Sequence, residues 1–215
     1  MTNIVFLNTS SGLFQGEKRG VRQFLGIPYG EKPHRFQRSI LRFNRHPQTI
    51  QLATKRAANC PQFHVDRSNT SEYFDEDCLT LNLFLPENSS NELRPILVFS
   101  HGGTNQIGSG SSFDGSAIAA IGNIIVITIN YRLNIFGFLS DNTEMSSGNF
   151  GLYDQLLALE WISINANNIH GDPQRITFLG HSTGAVNALL LAMSKQSKNL
   201  IRRVIALSGN PLNPW

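Results

Sequence analysis

Residues 176–193 read Ile176-Thr-Phe-Leu-Gly-His-Ser-Thr-Gly-Ala-Val-Asn-Ala-Leu-Leu-Leu-Ala-Met193. The first four form an apolar run typical of a buried strand, and residues 185–193 are apolar almost all round, which predicts a deeply buried helix. The Gly-x-Ser-x-Gly motif from Gly180 to Gly184 joins them. A strand, a tight turn and a helix in this order predict a nucleophile elbow, which lifts the hydroxyl of Ser182 out of the sheet at the positive end of the helix.

The flanking sequence predicts the sheet around this elbow. Apolar runs at Ile96–Phe99, Ile124–Ile129 and Val204–Leu207 are typical of parallel strands buried on both faces. The wide apolar stripe of Leu152–Ile164 predicts a helix between two of them. We therefore expect an α/β fold, with a mostly parallel sheet and helices on both faces. An antiparallel amino-terminal part is expected from strands at residues 4–7, 21–27 and 79–85.

A second motif, His101-Gly-Gly-Thr104, follows the predicted strand Ile96–Phe99. Ligands of such sheets bind outside the carboxyl ends of the strands. The two glycines would let backbone N–H groups approach a tetrahedral oxyanion, and the N–H of Thr183 would add a donor from the elbow. We therefore predict Ser182 as the catalytic nucleophile; the predicted oxyanion-hole residues are Gly102, Gly103, Thr104 and Thr183. The structural alternative is a plain Gly-Gly turn.

Composition excludes several other classes. The net charge of +3 conceals ten Lys/Arg against two acids in residues 1–58, and three against twelve in residues 59–160. The basic part has no helical stripe of cations, so we interpret it as a solvated face and not as a nucleic-acid site. No apolar run reaches the length of a membrane span. No metal-ligand spacing is present, so we expect no metal and no cofactor.

Two cysteines and three glycosylation sequons bear on the compartment. Cys60 and Cys78 fit no zinc pattern but could close a polar loop as a disulfide. The sequons begin at Asn8, Asn69 and Asn88. These features favour a secreted protein, whereas residues 1–10 show no signal peptide. The compartment and the oligomeric state stay open.

Further motifs carry a family resemblance. They are Phe24-Leu-Gly-Ile-Pro-Tyr-Gly30, Asp75-Glu-Asp-Cys-Leu-Thr-Leu-Asn-Leu83, Asn130-Tyr-Arg-Leu133 with Phe136-Gly-Phe-Leu-Ser140, Gly148-Asn-Phe-Gly-Leu152 and Gly171-Asp-Pro173. With the Gly-x-Ser-x-Gly motif, their order and spacing resemble those of type B carboxylesterases. The closing segment Ile201–Trp215 resembles the cholinesterase branch of that family.

The resemblance implies an α/β-hydrolase fold and a serine carboxylic-ester hydrolase that acts on a small-molecule ester without a cofactor. It implies a disulfide between Cys60 and Cys78, and it places Trp215 on the acyl side of the pocket. It also implies that residues 1–215 form the amino-terminal part of one α/β-hydrolase domain, incomplete at its carboxyl end. The family is usually more than twice this length.

Three departures from the family pattern affect the expected site. Thr104 stands where the family usually has a third glycine, and a β-branched residue is a poor choice wherever φ must be positive. Either that donor is misplaced or the loop has another shape. His181 and Thr183 flank the serine in place of the usual Glu or Gln and Ala. The segment between the cysteines contains no Trp, so a choline ester is not supported.

The sequence lacks the proton-transfer partners of Ser182. In this fold an acid and then a histidine follow the serine, yet residues 183–215 contain no His, Asp or Glu. We accept none of the six upstream histidines as the base, and we expect both partners beyond residue 215. The chain alone should be inactive. The alternatives are a non-catalytic, cholinesterase-like adhesion protein and an inactive truncated product.

Overall fold

The computed structural model describes residues 3–44, 49–63, 73–87, 92–141, 143 and 147–212. The strands are β1 (Ile4–Thr9), β2 (Gly12–Lys18), β3 (Arg22–Pro28), β4 (Ile50–Leu52), β5 (Thr80–Leu85), β6 (Arg94–Ser100), β7 (Ile125–Ile129), β8 (Gly171–His181) and β9 (Arg203–Leu207). The helices are α1 (Ser116–Gly122), α2 (Asn134–Phe138), α3 (Phe150–Asn165) and α4 (Thr183–Met193). Short 3₁₀ turns follow α3 and α4, and another precedes α1.

The strands form one mixed sheet in the order β1-β2-β3-β5-β7-β6-β8-β9, and β4 pairs with β2 beside this path. Strands β1, β2, β3, β5 and β7 pair antiparallel along the path. Strands β7, β6, β8 and β9 are parallel. The predicted parallel core with an antiparallel amino-terminal part is therefore confirmed.

The sheet separates two apolar clusters, because successive side chains of a strand point to opposite faces. Ile96 and Val98 belong to the larger cluster, which also contains Trp161 of α3 and Leu191 of α4. Leu97 and Phe99 belong to the smaller cluster with Ala119 of α1. Helices therefore cover both faces of the parallel core, as the sequence predicts.

A buried ion pair fixes the chain between the sheet and α3. Arg132, which follows β7, donates from Nη2 to Asp154 Oδ1 (2.7 Å) and from Nε to Asp154 Oδ2 (2.8 Å). The guanidinium also donates to the carbonyl of Gln37 (2.8 Å). Burial raises the pKa of Asp154, and the hydrogen bonds from Arg132 oppose that rise. The segment that leads from β7 into α2 is thereby held against the core.

Three predicted elements are less buried than the sequence predicts. Val204–Leu207 lies in the edge strand β9, where Ile205 is 43% and Leu207 47% exposed, so it is not buried on both faces. Ile164, at the end of the predicted apolar stripe, is 53% exposed because its side chain lies on the solvent side of α3, whose buried face continues to Asn165. Met193 is exposed at the end of α4, whose first turns are buried as predicted.

Candidate active site

Ser182 occupies the turn between β8 and α4 in a conformation that few residues adopt. Its φ is 55° and its ψ is −123°. Such a backbone is costly for a residue with a side chain and persists only where the surroundings enforce it. The Ser182 N–H donates to the carbonyl of Leu207 (2.8 Å), and its carbonyl accepts from the N–H of Ala185 (2.9 Å). The half-buried side chain therefore sits at the amino terminus of α4 on a fixed backbone.

Close backbone packing enforces that turn. A Cβ added to Gly180 would overlap the carbonyl of Gly184, and a Cβ added to Gly184 would overlap the carbonyl of Ser100 in β6. A Cβ on Gly209, after β9, would overlap the carbonyl of Ser182. The elbow therefore has no room for larger residues, as the sequence predicts for the positions two before and two after the serine.

The loop after β6 lies directly against Ser182. A Cβ added to Gly102 would stand 2.9 Å from the Cβ of Ser182. The loop then turns between Gly103 and Gln106, whose N–H donates to the carbonyl of Gly103 (2.9 Å). Both central residues, Thr104 and Asn105, have a φ of 56°. Positive φ at both central positions is the requirement of a type I′ turn.

Thr104 therefore adopts the left-handed conformation that its chemistry disfavours. For a residue with a Cβ this costs roughly 1–2 kcal/mol. Its Oγ1 donates to the carbonyl of Gly103 (2.7 Å), which stabilises the turn locally. The structure thus places a residue with a side chain in the positive-φ backbone that a glycine would adopt without strain.

Backbone donors are available around Ser182. Within the described ranges, the N–H groups of Gly102, Gly103 and Thr104 donate to no backbone carbonyl. Thr183 is the first residue of α4, so its N–H has no partner inside the helix. The predicted oxyanion residues are therefore brought to one place, and their donors are available to a ligand.

His101 supports the loop and is unsuited to act as a base. Its ring is buried and stacks on Tyr131 with a centroid separation of 4.4 Å, and its Nδ1 lies 2.8 Å from the carbonyl of Gly102. Burial lowers the pKa of His101 to about 4. Of the other histidines, His34 and His181 are exposed.

Several other predicted positions are now located. Cys60 and Cys78 form a disulfide, and Asn8 is exposed in β1. Asn69, Asn88 and Trp215, with His46 and His64, lie outside the described residues. Among the residues that the structure describes, no group of three His, Cys, Asp or Glu side chains could hold a metal ion. None of their helices is long and apolar enough to cross a membrane.

A cavity of about 460 Å³ adjoins the loop after β6. Thr104, Asn105 and Gln106 form one wall. The other lining residues are mainly apolar: Phe63, Ile135, Phe138 and Leu139, together with Asn134. The space beside the candidate oxyanion donors can therefore accept an apolar group.

The roles of two buried polar residues in this region are not predicted by the sequence. Asn187 lies in α4 and pairs through its amide with Asn105, and the hydroxyl of Tyr131 donates to the carbonyl of His101 (2.7 Å). The sequence does contain one indication of such a contact, because Asn187 is the one polar residue between Gly184 and Met193. A single polar residue in a buried helix requires a partner, which the sequence does not identify.

A mixed sheet with helices on both faces, and a serine in a strained turn between a parallel strand and a buried helix, define an α/β-hydrolase. The comparison with known proteins then gives the family. Residues 3–215 match the carboxylesterase family, and the chain belongs to it.

Individual relatives support this assignment. The chain is 36% identical to Acetylcholinesterase-1 of Trittame loki over 96% of its length and 40% of that protein. It is 33% identical to Neuroligin-2 of Mus musculus over 97% of its length and 30% of that protein. The solved structure of a thermophilic PNB esterase matches with a TM-score of 0.88 and 37% identity, over 95% of this chain and 44% of that one. The chain thus spans less than half the length of these relatives.

Proposed function

We propose that the protein is a serine carboxylic-ester hydrolase that works through an acyl-enzyme on Ser182. The observation that carries this proposal is the strained Ser182 backbone beside the available N–H groups of the loop after β6. A plain Gly-Gly turn would not need to lie against the serine, where a Cβ on Gly102 has no room. Strain held at a position of this kind is characteristic of functional sites.

The geometry supports the following reaction. Ser182 Oγ attacks the ester carbonyl carbon, and its proton passes to a histidine that we expect beyond residue 215. The N–H groups of Gly103, Thr104 and Thr183, with Gly102 at the base of the loop, would bind the negatively charged oxygen of the tetrahedral intermediate. Collapse of the intermediate releases the alcohol, which takes the proton from the histidine. Water then attacks the acyl-enzyme by the same route and releases the acid and free Ser182.

The position of the serine favours this charge development. Ser182 precedes the first residue of α4, an eleven-residue helix. The amino terminus of a helix carries partial positive charge, which stabilises an anion by about 0.3–1 kcal/mol, and more in partly buried geometries. The Ser182 oxygen and the expected oxyanion both lie at this end.

The cavity beside Thr104 indicates the kind of ester. Its apolar lining residues Ile135, Phe138 and Leu139 favour an alkyl or aryl group over a charged one. The segment between Cys60 and Cys78 contains no Trp to bind a quaternary ammonium. We therefore expect an ester with an apolar substituent.

We further propose that residues 1–215 are the amino-terminal part of one catalytic domain. Ile205 and Leu207 of the edge strand β9 are nearly half exposed, and Leu212 beyond them is almost fully exposed. An apolar sheet edge of this kind is usually paired or covered. The remaining length of the matched relatives would supply that cover together with the histidine and the acid.

A simple aryl ester tests the proposal. The complete protein that carries this chain should hydrolyse it, and Ser182→Ala should reduce kcat by at least about 10⁴-fold. Residues 1–215 alone should show no turnover that depends on Ser182. Turnover by the complete protein that survives Ser182→Ala would contradict the proposal.

A second candidate is a non-catalytic interaction protein with the same fold. The strained backbone of Thr104, one of the expected oxyanion donors, favours it. The 33% identity to Neuroligin-2, whose name is not that of an enzyme, gives it a precedent in the family. A complete, folded protein without Ser182-dependent turnover is the result expected of this candidate.

A further inference from the structure

A pair of asparagines joins the two halves of the candidate site. Asn187 lies on α4, five residues after Ser182, and is 1% exposed. Its Nδ2 donates to Asn105 Oδ1 (2.9 Å), and Asn105 Nδ2 lies 3.5 Å from Asn187 Oδ1. The amide pair therefore connects the helix that begins at the serine with the loop that carries the expected oxyanion donors.

Asn105 is also held from a third side, the segment after β7. The N–H of Asn134 donates to the carbonyl of Asn105 (2.7 Å). The hydroxyl of Tyr131, which donates to the carbonyl of His101, lies 3.4 Å from Asn105 Oδ1. The backbone and the side chain of Asn105 are therefore both fixed.

The turn needs such support because of its neighbour. Thr104 and Asn105 share the same left-handed backbone, with φ of 56° each. Asn tolerates this conformation, whereas a β-branched residue resists it. A turn held only by its own backbone would tend to relax at Thr104 and carry the N–H groups of Gly103 and Thr104 away from the elbow.

We propose that Asn187 and Asn105 are positioning residues for the oxyanion hole. Their amide pair holds the turn Gly103–Gln106 in its left-handed form against the elbow, so that the donors meet the charge that develops on the carbonyl oxygen. Neither amide contacts the reacting atoms. This inference rests on the proposed esterase function.

Steady-state kinetics of the complete protein with an aryl ester tests it. Asn187→Leu removes the amide from α4, and Asn105→Gly removes the amide from the loop while keeping a residue that accepts positive φ. Each variant should lower kcat by about 10- to 100-fold, since loss of one well-placed donor costs about 100-fold or more. For Asn187→Leu, KM should change less than about threefold, because Asn187 does not line the cavity beside Thr104 and its interaction acts in the transition state.

Asn165→Leu is the matched control. Asn165 is also a fully buried asparagine, and its Nδ2 donates to Ser10 Oγ (2.9 Å), away from the loop after β6. This variant should lose stability and keep its kcat. A kcat loss in Asn165→Leu equal to that in Asn187→Leu would overturn the inference, because a general loss of packing would then explain both.

A rescue variant makes the test specific. Adding Thr104→Gly to Asn187→Leu removes the residue that resists the turn, so at least about fivefold of the lost kcat should return. Wild-type kcat in both Asn105→Gly and Asn187→Leu would overturn the positioning role while the esterase proposal stands. If Asn187→Leu does not fold, Asn105→Gly alone tests the positioning role, and a wild-type kcat in that variant would overturn it. Absence of Ser182-dependent turnover in the wild-type protein would instead overturn the proposed function, and this inference with it.

Discussion

Two neighbouring strand ends solve the same conformational problem in different ways. The elbow after β8 holds one non-glycine residue with positive φ, Ser182, and the loop after β6 holds two, Thr104 and Asn105. At the elbow the surrounding backbone leaves no alternative, since glycines at 180 and 184 bring chain against chain. In the loop, backbone packing at Gly102 and Gly103 is supplemented by a side-chain contact, the amide pair of Asn187 and Asn105.

The two regions should therefore tolerate different substitutions. Backbone packing is a steric constraint, and any added atom must displace main chain, so changes at the elbow should act on folding. A side-chain clamp can be removed while the chain still folds, so changes in the loop should act on the placement of the donors. The following predictions test this contrast.

The largest effect is expected at the elbow. Gly180→Ala places a Cβ against the carbonyl of Gly184 and the N–H of Ala185, and we expect the free energy of unfolding to fall by about 3 kcal/mol or more. Denaturant unfolding of the complete protein measures this. The matched control is Gly122→Ala, where the new Cβ would meet only Ile124, at 3.5 Å, and stability should change by less than about 0.5 kcal/mol. Equal losses of stability at the two glycines would show that the elbow is no more tightly packed than the end of α1.

An intermediate effect is expected at His101, which stands at the base of the loop. Burial lowers the pKa of its ring to about 4 in the folded protein, against 6.5 in an unfolded chain. Between these values the unfolded chain binds more protons, so the contribution of His101 to stability is full above pH 6.5 and is lost as the pH falls towards 4. This difference in pKa between the folded and the unfolded protein corresponds to a loss of about 3 kcal/mol in the free energy of unfolding.

His101→Phe should remove that part of the pH dependence. Unfolding measured from pH 7 to pH 4 should show wild type losing stability relative to the variant as the pH falls. Parallel curves for the two proteins would contradict this expectation, because they would show that His101 is protonated as readily in the folded protein as in the unfolded chain.

The smallest effect is expected at Thr104. Thr104→Gly removes the strain of a left-handed backbone with a Cβ, which stabilises the folded protein by roughly 1–2 kcal/mol. The greater conformational freedom of glycine stabilises the unfolded chain by about 0.5–1 kcal/mol. A net gain of about 0.5–1 kcal/mol in the free energy of unfolding should remain. Gln106→Gly, in the same turn but without positive φ, should instead lose about 0.5–1 kcal/mol. Changes of the same sign at the two positions would mean that Thr104 is not strained.

Local sequence patterns predict much of the fold. Three local patterns each specify one part of the elbow: the run Ile176–Leu179 specifies the strand, the glycines around Ser182 the turn, and the apolar segment after them the helix. Strand β2 (Gly12–Lys18) escaped prediction because two glycines and two charges obscure its alternation. Helix α2 (Asn134–Phe138) escaped because its five residues include Ile and two Phe, which favour strands.

The clamp on the loop could not be predicted, because it depends on a pairing between distant residues. Asn105 and Asn187 are 82 residues apart, and nothing in either local sequence selects the other. The departure at Thr104 did indicate that this loop would be unusual. How the loop keeps its left-handed shape became visible only once β6 and α4 were placed side by side.

Covalent labelling shows whether Ser182 is an activated nucleophile. The complete protein is treated with a fluorophosphonate, followed by intact-mass measurement and peptide mapping, with Ser182→Ala as the control and cooperative unfolding as proof of folding. We expect a single adduct on Ser182 that is absent from the variant. A folded wild-type protein that stays unlabelled, or that is labelled only at another residue, would contradict this expectation.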